Sequence, residues 1–324
     1  MSSIIPPQVR SLRRKLVAAT TTSRKSLTTF PLASYFSIHL LLSAFLLFSF
    51  GFLPRSEAFW RNENALGDGG FKQTVSADRP EHPFLTPITS DPFKTMVLEF
   101  IGVTFCMIWW SGHLRSWWSV IKANERRAAG SSSTQESEPV VREDLARRLE
   151  STRTAGLATA AAIPLVLALL LLLGVSAKSQ WSLTLILAMQ LSMMLVFPIV
   201  DALGIPDLYA KGTLDRYRLT RLFCELDLRT SLERATVYPV YGTLIGTWCG
   251  VIPMALDWDR PWQAYPLTLA FGSILGFIAS GFASFSVSAV EEAVAASSSM
   301  DAVEVQPAAG GRTRKQIRKK GKAN

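Results

Sequence analysis

The chain has 324 residues, of which 48% are hydrophobic, and it carries a formal net charge of +9. The apolar residues are concentrated in blocks of about 20, the length at which a helix crosses the bilayer core of about 30 Å. This clustering excludes an ordinary soluble globular protein, and we predict an all-α membrane protein.

Six apolar blocks follow one another and predict a bundle of six transmembrane helices. The first could be a secretory signal, but its apolar run exceeds the usual length of about 7–15 residues, so we expect an uncleaved span. The third contains the uncharged run AIPLVLALLLLLGV. The predicted spans are residues 34–53, 95–112, 155–176, 181–200, 236–255 and 266–287.

The basic residues fall mainly on one side of these spans. If both termini lie on the same side, that side holds 27 of the 34 Lys and Arg residues. Cytosolic loops are the ones enriched in Lys and Arg, so both termini are predicted to be cytosolic. Because topology accounts for the positive charge and no basic stretch is interleaved with aromatic residues, we predict no nucleic-acid partner.

Composition divides the chain into five parts. The linker is rich in Ser and charged residues, a composition typical of flexible segments. We predict a cytosolic basic tail at 1–33, two spans with a lumenal loop (54–94) at 34–122, a flexible cytosolic linker at 123–154, a four-span membrane domain at 155–292, and a second cytosolic basic tail at 293–324.

The cytosolic loop 201–235 contains an amphipathic segment, LDRYRLTRLFCELDLRT. Its leucines at positions 214, 222 and 226 recur near helical spacing, with arginines between them. The pattern predicts a short helix, which could lie in the lipid headgroup layer. The alternative is a helix packed on the protein's own cytosolic loops.

Glu99 lies within the second predicted span. A carboxylate there costs on the order of 3 kcal/mol, so such residues usually face the protein interior and have a polar partner. We predict His39, in the first span, as a candidate partner. The alternative is that Glu99 lies only about one helical turn from the lumenal end of its span.

The turn between the fifth and sixth spans, LDWDRPWQAYP, combines acidic and aromatic residues. Asp257 and Asp259 could bind a divalent ion or a phosphate in a polytopic enzyme that modifies lipid headgroups. No third ligand is near in sequence, and no His stands in metal-ligand spacing. We therefore favour a structural lumenal turn, with tryptophans at the membrane interface, formed by Asp257, Trp258, Asp259, Arg260, Trp262 and Gln263.

Known catalytic motifs are absent from the sequence. It contains no phosphate-binding Walker loop, no GxGxxG turn and no GxSxG nucleophile motif. We predict no catalytic residue, no metal and no cofactor.

Small residues recur at every fourth position in the last two predicted spans. Such positions lie nearly above one another on a helix and leave a narrow groove. In lipid, close backbone approach at small residues is a main source of helix association. The two grooves could face each other, or one could receive a helix of a partner protein. The residues are Gly242, Gly246 and Gly250 in the fifth span, and Gly272, Gly276 and Ser280 in the sixth.

The C-terminus ends RKQIRKKGKAN, with Lys320 and Lys322 fifth and third from the end. This spacing matches the dilysine pattern by which cytosolic tails are returned to the endoplasmic reticulum, an address that is read by a receptor. It predicts a multi-pass protein of the endoplasmic reticulum membrane.

The segment from Glu233 to Pro266, ERATVYPVYGTLIGTWCGVIPMALDWDRPWQAYP, resembles the signature of the PIG-F family. These proteins are the stabilising subunits of the glycosylphosphatidylinositol (GPI) ethanolamine-phosphate transferases. The similarity is strongest over 233–287 and extends to LSMMLVFPIVDALG in the preceding spans. The resemblance implies a non-catalytic subunit that contacts membrane lipids and stabilises transferase catalytic subunits, which add ethanolamine phosphate to mannoses of the GPI anchor precursor.

Overall fold

A computed structural model describes residues 30–56, 85–128, 140–175, 180–206, 213–256 and 260–304. All regular elements in these residues are helical. The α-helices are α1 (Leu32–Gly51), α2 (Thr86–Thr89), α3 (Pro92–Ala128), α4 (Val140–Leu172), α5 (Trp181–Leu195), α6 (Phe197–Leu203), α7 (Thr213–Phe223), α8 (Ser231–Cys249), α9 (Val251–Met254) and α10 (Leu267–Glu304), with 3₁₀ turns at Leu53–Arg55 and Pro261–Gln263.

Five helical stretches among the described residues are long and apolar enough to cross a membrane. They correspond to the first four predicted spans and the sixth. The fifth predicted span corresponds to α8 and α9, whose mean hydropathy is lowered by Glu233 and Arg234 near the start of α8. A sixth span therefore stays a prediction. The five stretches are Leu32–Gly51, Pro92–Lys122, Leu145–Leu172, Trp181–Leu203 and Leu267–Ser298.

Two helices extend well beyond the predicted spans into the interval predicted as a linker. Helix α3 has 37 residues and ends at Ala128, and α4 already begins at Val140. The flexible linker predicted at 123–154 is therefore too long, and its middle part, 129–139, lies outside the described residues. The extension of α3 packs on the rest of the protein, since Trp118 is buried and its Nε1 donates to Thr236 Oγ1 of α8 at 3.1 Å.

The helices pack around α3 and around the pair formed by α8 and α10. Helix α3 contacts α1, α5 and α6, while α4 packs on α5 and α6. The most extensive helix contact is that between α8 and α10. One hydrophobic cluster surrounds Trp110 and Phe277, and a second surrounds Leu187 and Ala270. Each cluster thus brings together residues that are distant in sequence.

Helix α7 corresponds to the amphipathic segment. Leu222 is fully buried, and Leu219 and Phe223 pack against the cluster around Trp110. The leucine predicted to continue this face, Leu226, lies beyond the end of α7 and has a positive φ of 53°. The structure favours the alternative in which this helix packs on the protein itself. Its contacts are with the helical core as well as with loops.

Candidate functional site

The glycines of the last two predicted spans face one another across the contact between α8 and α10. A Cβ atom added to Gly246 would overlap the carbonyl oxygen of Gly272 and approach the Gly276 Cα to 2.8 Å. A Cβ atom added to Gly272 would in turn overlap the carbonyl oxygen of Gly246. The two backbones touch at these positions because neither helix carries a side chain there.

The same contact continues along both helices. A Cβ atom on Gly242 would overlap Ser280 Oγ, and one on Gly250 would lie 2.8 Å from the Leu269 Cα. Ser280 is bonded within its own helix, because its hydroxyl donates to the Gly276 carbonyl at 2.7 Å. The structure therefore brings the six predicted small residues together at one helix–helix contact.

An open apolar groove of about 780 Å³ runs along the outside of this contact. Its floor is the glycine contact, and Phe50 of α1 and Trp262 of the turn also line it. Ile245 and Leu275 border the groove and are 60% and 51% exposed. The glycines thus serve one helix pair and also leave a concave surface beside it.

Helix α8 is buried at its first half and exposed at its second. Residues 232–237 are buried, whereas Leu244, Ile245 and Trp248 are exposed, the last to 71%. On the side away from the groove, Leu244 and Trp248 line a second apolar cavity of about 420 Å³ with residues of α4 and α5. The second half of α8 therefore presents apolar surface on two sides.

The turn after α9 is held by the amide of Gln263. Its Oε1 accepts from the Arg260 backbone N–H at 2.8 Å, and its Nε2 donates to the carbonyls of Pro253 and Leu256 at 2.5 and 2.8 Å. Trp262 is partly buried at the edge of the groove. The other predicted turn residues, Asp257, Trp258 and Asp259, lie outside the described residues, as do Lys320 and Lys322.

A polar network at the start of α8 was not predicted from the sequence. Thr230 and Glu233 form a capping box, in which Glu233 Oε2 accepts from the Thr230 N–H at 3.1 Å and Thr230 Oγ1 accepts from the Glu233 N–H at 3.2 Å. Glu233 also accepts from the Arg229 N–H and forms a buried ion pair with Arg221 of α7. The Thr-x-x-Glu spacing is a recognised helix-start signal and could have revealed this cap.

An exposed ion pair lies beside this network. Arg229 donates to Asp227 Oδ2 at 2.5 Å, and the side chains of Arg229 and Asp227 are 66% and 44% exposed. This hydrogen bond lowers the pKa of the Asp227 carboxyl. The pair differs from Arg221 and Glu233 in being exposed, which makes it a useful comparison.

A second unpredicted cluster joins α3, α4 and α6. Arg115 of α3 donates to Asp201 Oδ2 at 2.7 Å and to the Arg148 carbonyl at 3.0 Å. The Asp201 side chain is fully buried and also accepts from Thr152 Oγ1 at 3.3 Å. Asp201 and its donors are 49 to 86 residues apart in sequence, so no local spacing indicates the cluster.

Glu99 does not pair with His39, and that prediction is wrong. Glu99 is fully buried, and its Oε1 accepts from Gln190 Nε2 of α5 at 2.9 Å. His39 instead lies against α10, where its Nε2 is 3.1 Å from the Ile278 carbonyl and its ring fills the space beside Gly281. Helix α3 turns Glu99 toward α5, whereas His39 of α1 faces α10.

The described residues contain no group of three or more His, Cys, Asp or Glu side chains placed to hold a metal ion. The carboxyl groups of Glu99, Asp201 and Glu233 instead accept hydrogen bonds from Gln190, Arg115 and Arg221. Each of these hydrogen bonds links two helices.

Comparison with known proteins places this chain in a family. Residues 81–285 match the GPI biosynthesis protein family Pig-F. Similar proteins include glycosylphosphatidylinositol anchor biosynthesis protein 11 of Candida albicans, 36% identical over 105 residues that cover 32% of this chain and 36% of the relative. The protein of the same name from Aspergillus fumigatus is 56% identical over 36 residues, 11% of this chain and 12% of the relative.

The similarity includes an animal protein. The Homo sapiens protein named "GPI ethanolamine phosphate transferase, stabilizing subunit" is 30% identical over 59 residues, 18% of this chain and 27% of the relative. The matched stretches thus cover about a third or less of each of these three relatives. No solved structure matches the chain. The resemblance seen in the segment from Glu233 to Pro266 is confirmed by the family match, and the chain belongs to the Pig-F family of GPI biosynthesis proteins.

Proposed function

We propose that this chain is a non-catalytic membrane subunit that binds and stabilises the catalytic subunit of a GPI ethanolamine-phosphate transferase. Membership of the Pig-F family supports this assignment, as does the name of the human relative. The catalytic partner would add ethanolamine phosphate to mannoses of the GPI anchor precursor. The alternative, an enzyme that modifies lipid headgroups with Asp257 and Asp259, stays a prediction, because both residues lie outside the described residues.

The proposed protein crosses the endoplasmic reticulum membrane six times, with both termini in the cytosol. The excess of basic residues in the loops assigned to the cytosol supports this orientation. The C-terminal lysines at 320 and 322 support retrieval to the endoplasmic reticulum. In this topology, the turn held by Gln263 and the exposed half of α8 lie toward the lumenal side.

The groove along α8 and α10 is the observation that carries the proposal. It is apolar, about 780 Å³ in volume, and bordered by exposed Ile245 and Leu275. Glycines form the base of the groove, so a helix of the partner can approach the backbone closely and gain dispersion contacts, a main source of helix association in lipid. We assign this groove as the docking surface for a transmembrane helix of the catalytic subunit.

The test is to fill the groove without disturbing the glycine contact. Ala279 of α10 is exposed and lines the groove, so Ala279→Trp should occupy the partner's place. Leu165 of α4 is 72% exposed and does not line the groove, and Leu165→Trp is the matched control. We expect several-fold less transferase to co-purify in mild detergent with Ala279→Trp, and unchanged recovery with Leu165→Trp.

Identification of the co-purified proteins by mass spectrometry completes the experiment. Recovery of an ethanolamine-phosphate transferase with the wild-type chain is the expected result. Equal recovery with both tryptophan variants would rule out the groove as the docking surface. Absence of any such transferase from the wild-type sample would contradict the proposed function itself.

A further inference from the structure

A buried polar cluster lies where α3, α5 and α10 meet. Glu99 of α3 and Gln190 of α5 have no exposed surface, and Gln190 Nε2 donates to Glu99 Oε1 at 2.9 Å. The same amide nitrogen lies 3.3 Å from Ser273 Oγ and 3.4 Å from the Ala270 carbonyl, both on α10. One amide group therefore connects three helices.

Two oxygens of this cluster, Glu99 Oε2 and Gln190 Oε1, have no hydrogen-bond partner among the residues that the structure describes. If Glu99 were ionised, both oxygens could only accept hydrogen bonds, so neither could satisfy the other. None of the ion pairs resolved between described residues includes Glu99. Burial of an unpaired carboxylate costs much more than burial of a neutral polar group. With Glu99 ionised, the cluster would therefore lack one hydrogen-bond donor and would contain one buried, unpaired negative charge.

We propose that Glu99 holds a proton on Oε2 and donates it to Gln190 Oε1. A single proton then supplies both unpartnered oxygens and removes the buried charge. The acid and the amide form two reciprocal hydrogen bonds, which we call the Glu99–Gln190 clasp. Unsatisfied buried polar groups are costly, so the clasp acts as a positioning element that fixes α3 against α5 and, through Ser273, against α10.

This inference goes beyond the proposed docking function, because the clasp belongs to the chain itself and is formed without a partner. Glutamine at position 99 is the informative change. Its Oε1 can accept from Gln190 Nε2 and its Nε2 can donate to Gln190 Oε1, so the neutral isostere reproduces both hydrogen bonds. A protonated acid therefore predicts that Glu99→Gln folds normally.

The experiment uses infrared spectroscopy and thermal unfolding of the full chain purified in detergent at neutral pH. We expect the wild-type protein to show the carbonyl band of a protonated carboxylic acid, and Glu99→Gln to lose it while retaining a melting temperature close to that of wild type. Glu150 is exposed on α4, and Glu150→Gln should leave the acid band unchanged. Glu99→Ala should melt at a lower temperature because it leaves the Gln190 amide without its partner.

Several results would overturn the proposal. If the wild-type spectrum lacked the acid band, Glu99 would be ionised. If the band persisted in Glu99→Gln, it would belong to another residue. Failure of Glu99→Gln to fold would show that the site needs a negative charge. Stabilisation of the wild-type protein by Na⁺ that disappears in Glu99→Gln would assign the missing partner to a bound cation. A Glu99→Ala variant as stable as wild type would show that the Glu99–Gln190 clasp does not hold the helices in position.

Discussion

Gly246 has no room for a side chain because backbone atoms of α10 occupy the position of its missing Cβ. The atoms in the way are the Gly272 carbonyl oxygen and the Gly276 Cα, and backbone cannot rotate aside as a side chain can. The contact therefore depends on this residue being glycine, even though glycine weakens an isolated helix by about 1 kcal/mol relative to alanine.

We expect Gly246→Ala to destabilise the chain by about 1–3 kcal/mol, the usual cost of overpacking. Gly112 is the matched control, because it is a helical glycine of α3 with open space around its Cβ position. Gly112→Ala should be neutral or stabilising by up to about 1 kcal/mol through helix propensity. Thermal unfolding in detergent measures both, and equal stability of the two variants would show that the α8–α10 contact can relax.

A further glycine of α10, which is not part of the predicted glycine stripe, also allows close packing. Gly281 lies one position away from the four-residue repeat of α10, and the ring of His39 fills the space beside it. The Tyr35 hydroxyl donates to the Gly281 carbonyl at 2.9 Å. Helix α10 therefore presents small residues to α8 on one face and to α1 on another.

At the scale of elements, the start of α8 is anchored to the rest of the protein by several polar contacts. Glu233 caps its own helix, accepts from the Arg229 N–H and pairs with Arg221 of α7. Because one carboxylate makes all of these contacts, α7, the loop after it and α8 are held as one unit.

We expect Glu233→Ala to cost about 3–5 kcal/mol of stability, because it leaves the buried Arg221 guanidinium without its counter-charge. Thr230→Ala removes only the cap and should cost about 1 kcal/mol. Asp227→Ala breaks the exposed pair with Arg229 and should change stability little, because solvent screens such pairs. The three variants are compared by thermal unfolding, and a Glu233→Ala variant no worse than Asp227→Ala would contradict a buried anchor.

At the scale of the whole molecule, the number of spans decides on which side of the membrane each end lies. Five described helical stretches could cross a membrane, and a sixth crossing requires α8 together with α9. Six crossings place the termini on the same side, whereas five crossings place them on opposite sides.

Insertion of Asn-x-Ser/Thr glycosylation acceptors tests this directly, because only lumenal sites receive a glycan. For six spans with cytosolic termini, an acceptor inserted in loop 54–94 should be glycosylated. Acceptors inserted in 129–139 and in the C-terminal tail 305–324 should remain unmodified. Glycosylation of the tail would show that α8 and α9 do not cross the membrane and would place Lys320 and Lys322 on the lumenal side.

The sequence by itself determined the features that depend on local spacing. Apolar length predicted that α1, α3, α4, α5 and α10 exist and in which order, because a span must match the bilayer thickness. It did not predict how far α3, α4 and α10 continue beyond the apolar stretch. The four-residue repeat predicted the glycine stripe, since residues four apart share a helix face. The family resemblance in the segment starting at Glu233 is likewise a property of consecutive residues.

The tertiary structure alone decided which distant residues meet. Glu99 bonds to Gln190, 91 positions away, whereas His39 packs on α10 some 239 positions away. The spacing of the glycine stripes does not distinguish an internal contact from contact with a partner, and only the relative placement of α8 and α10 showed them facing each other. Local pattern fixes which face a helix buries, but the neighbour of that face depends on how all the helices pack together.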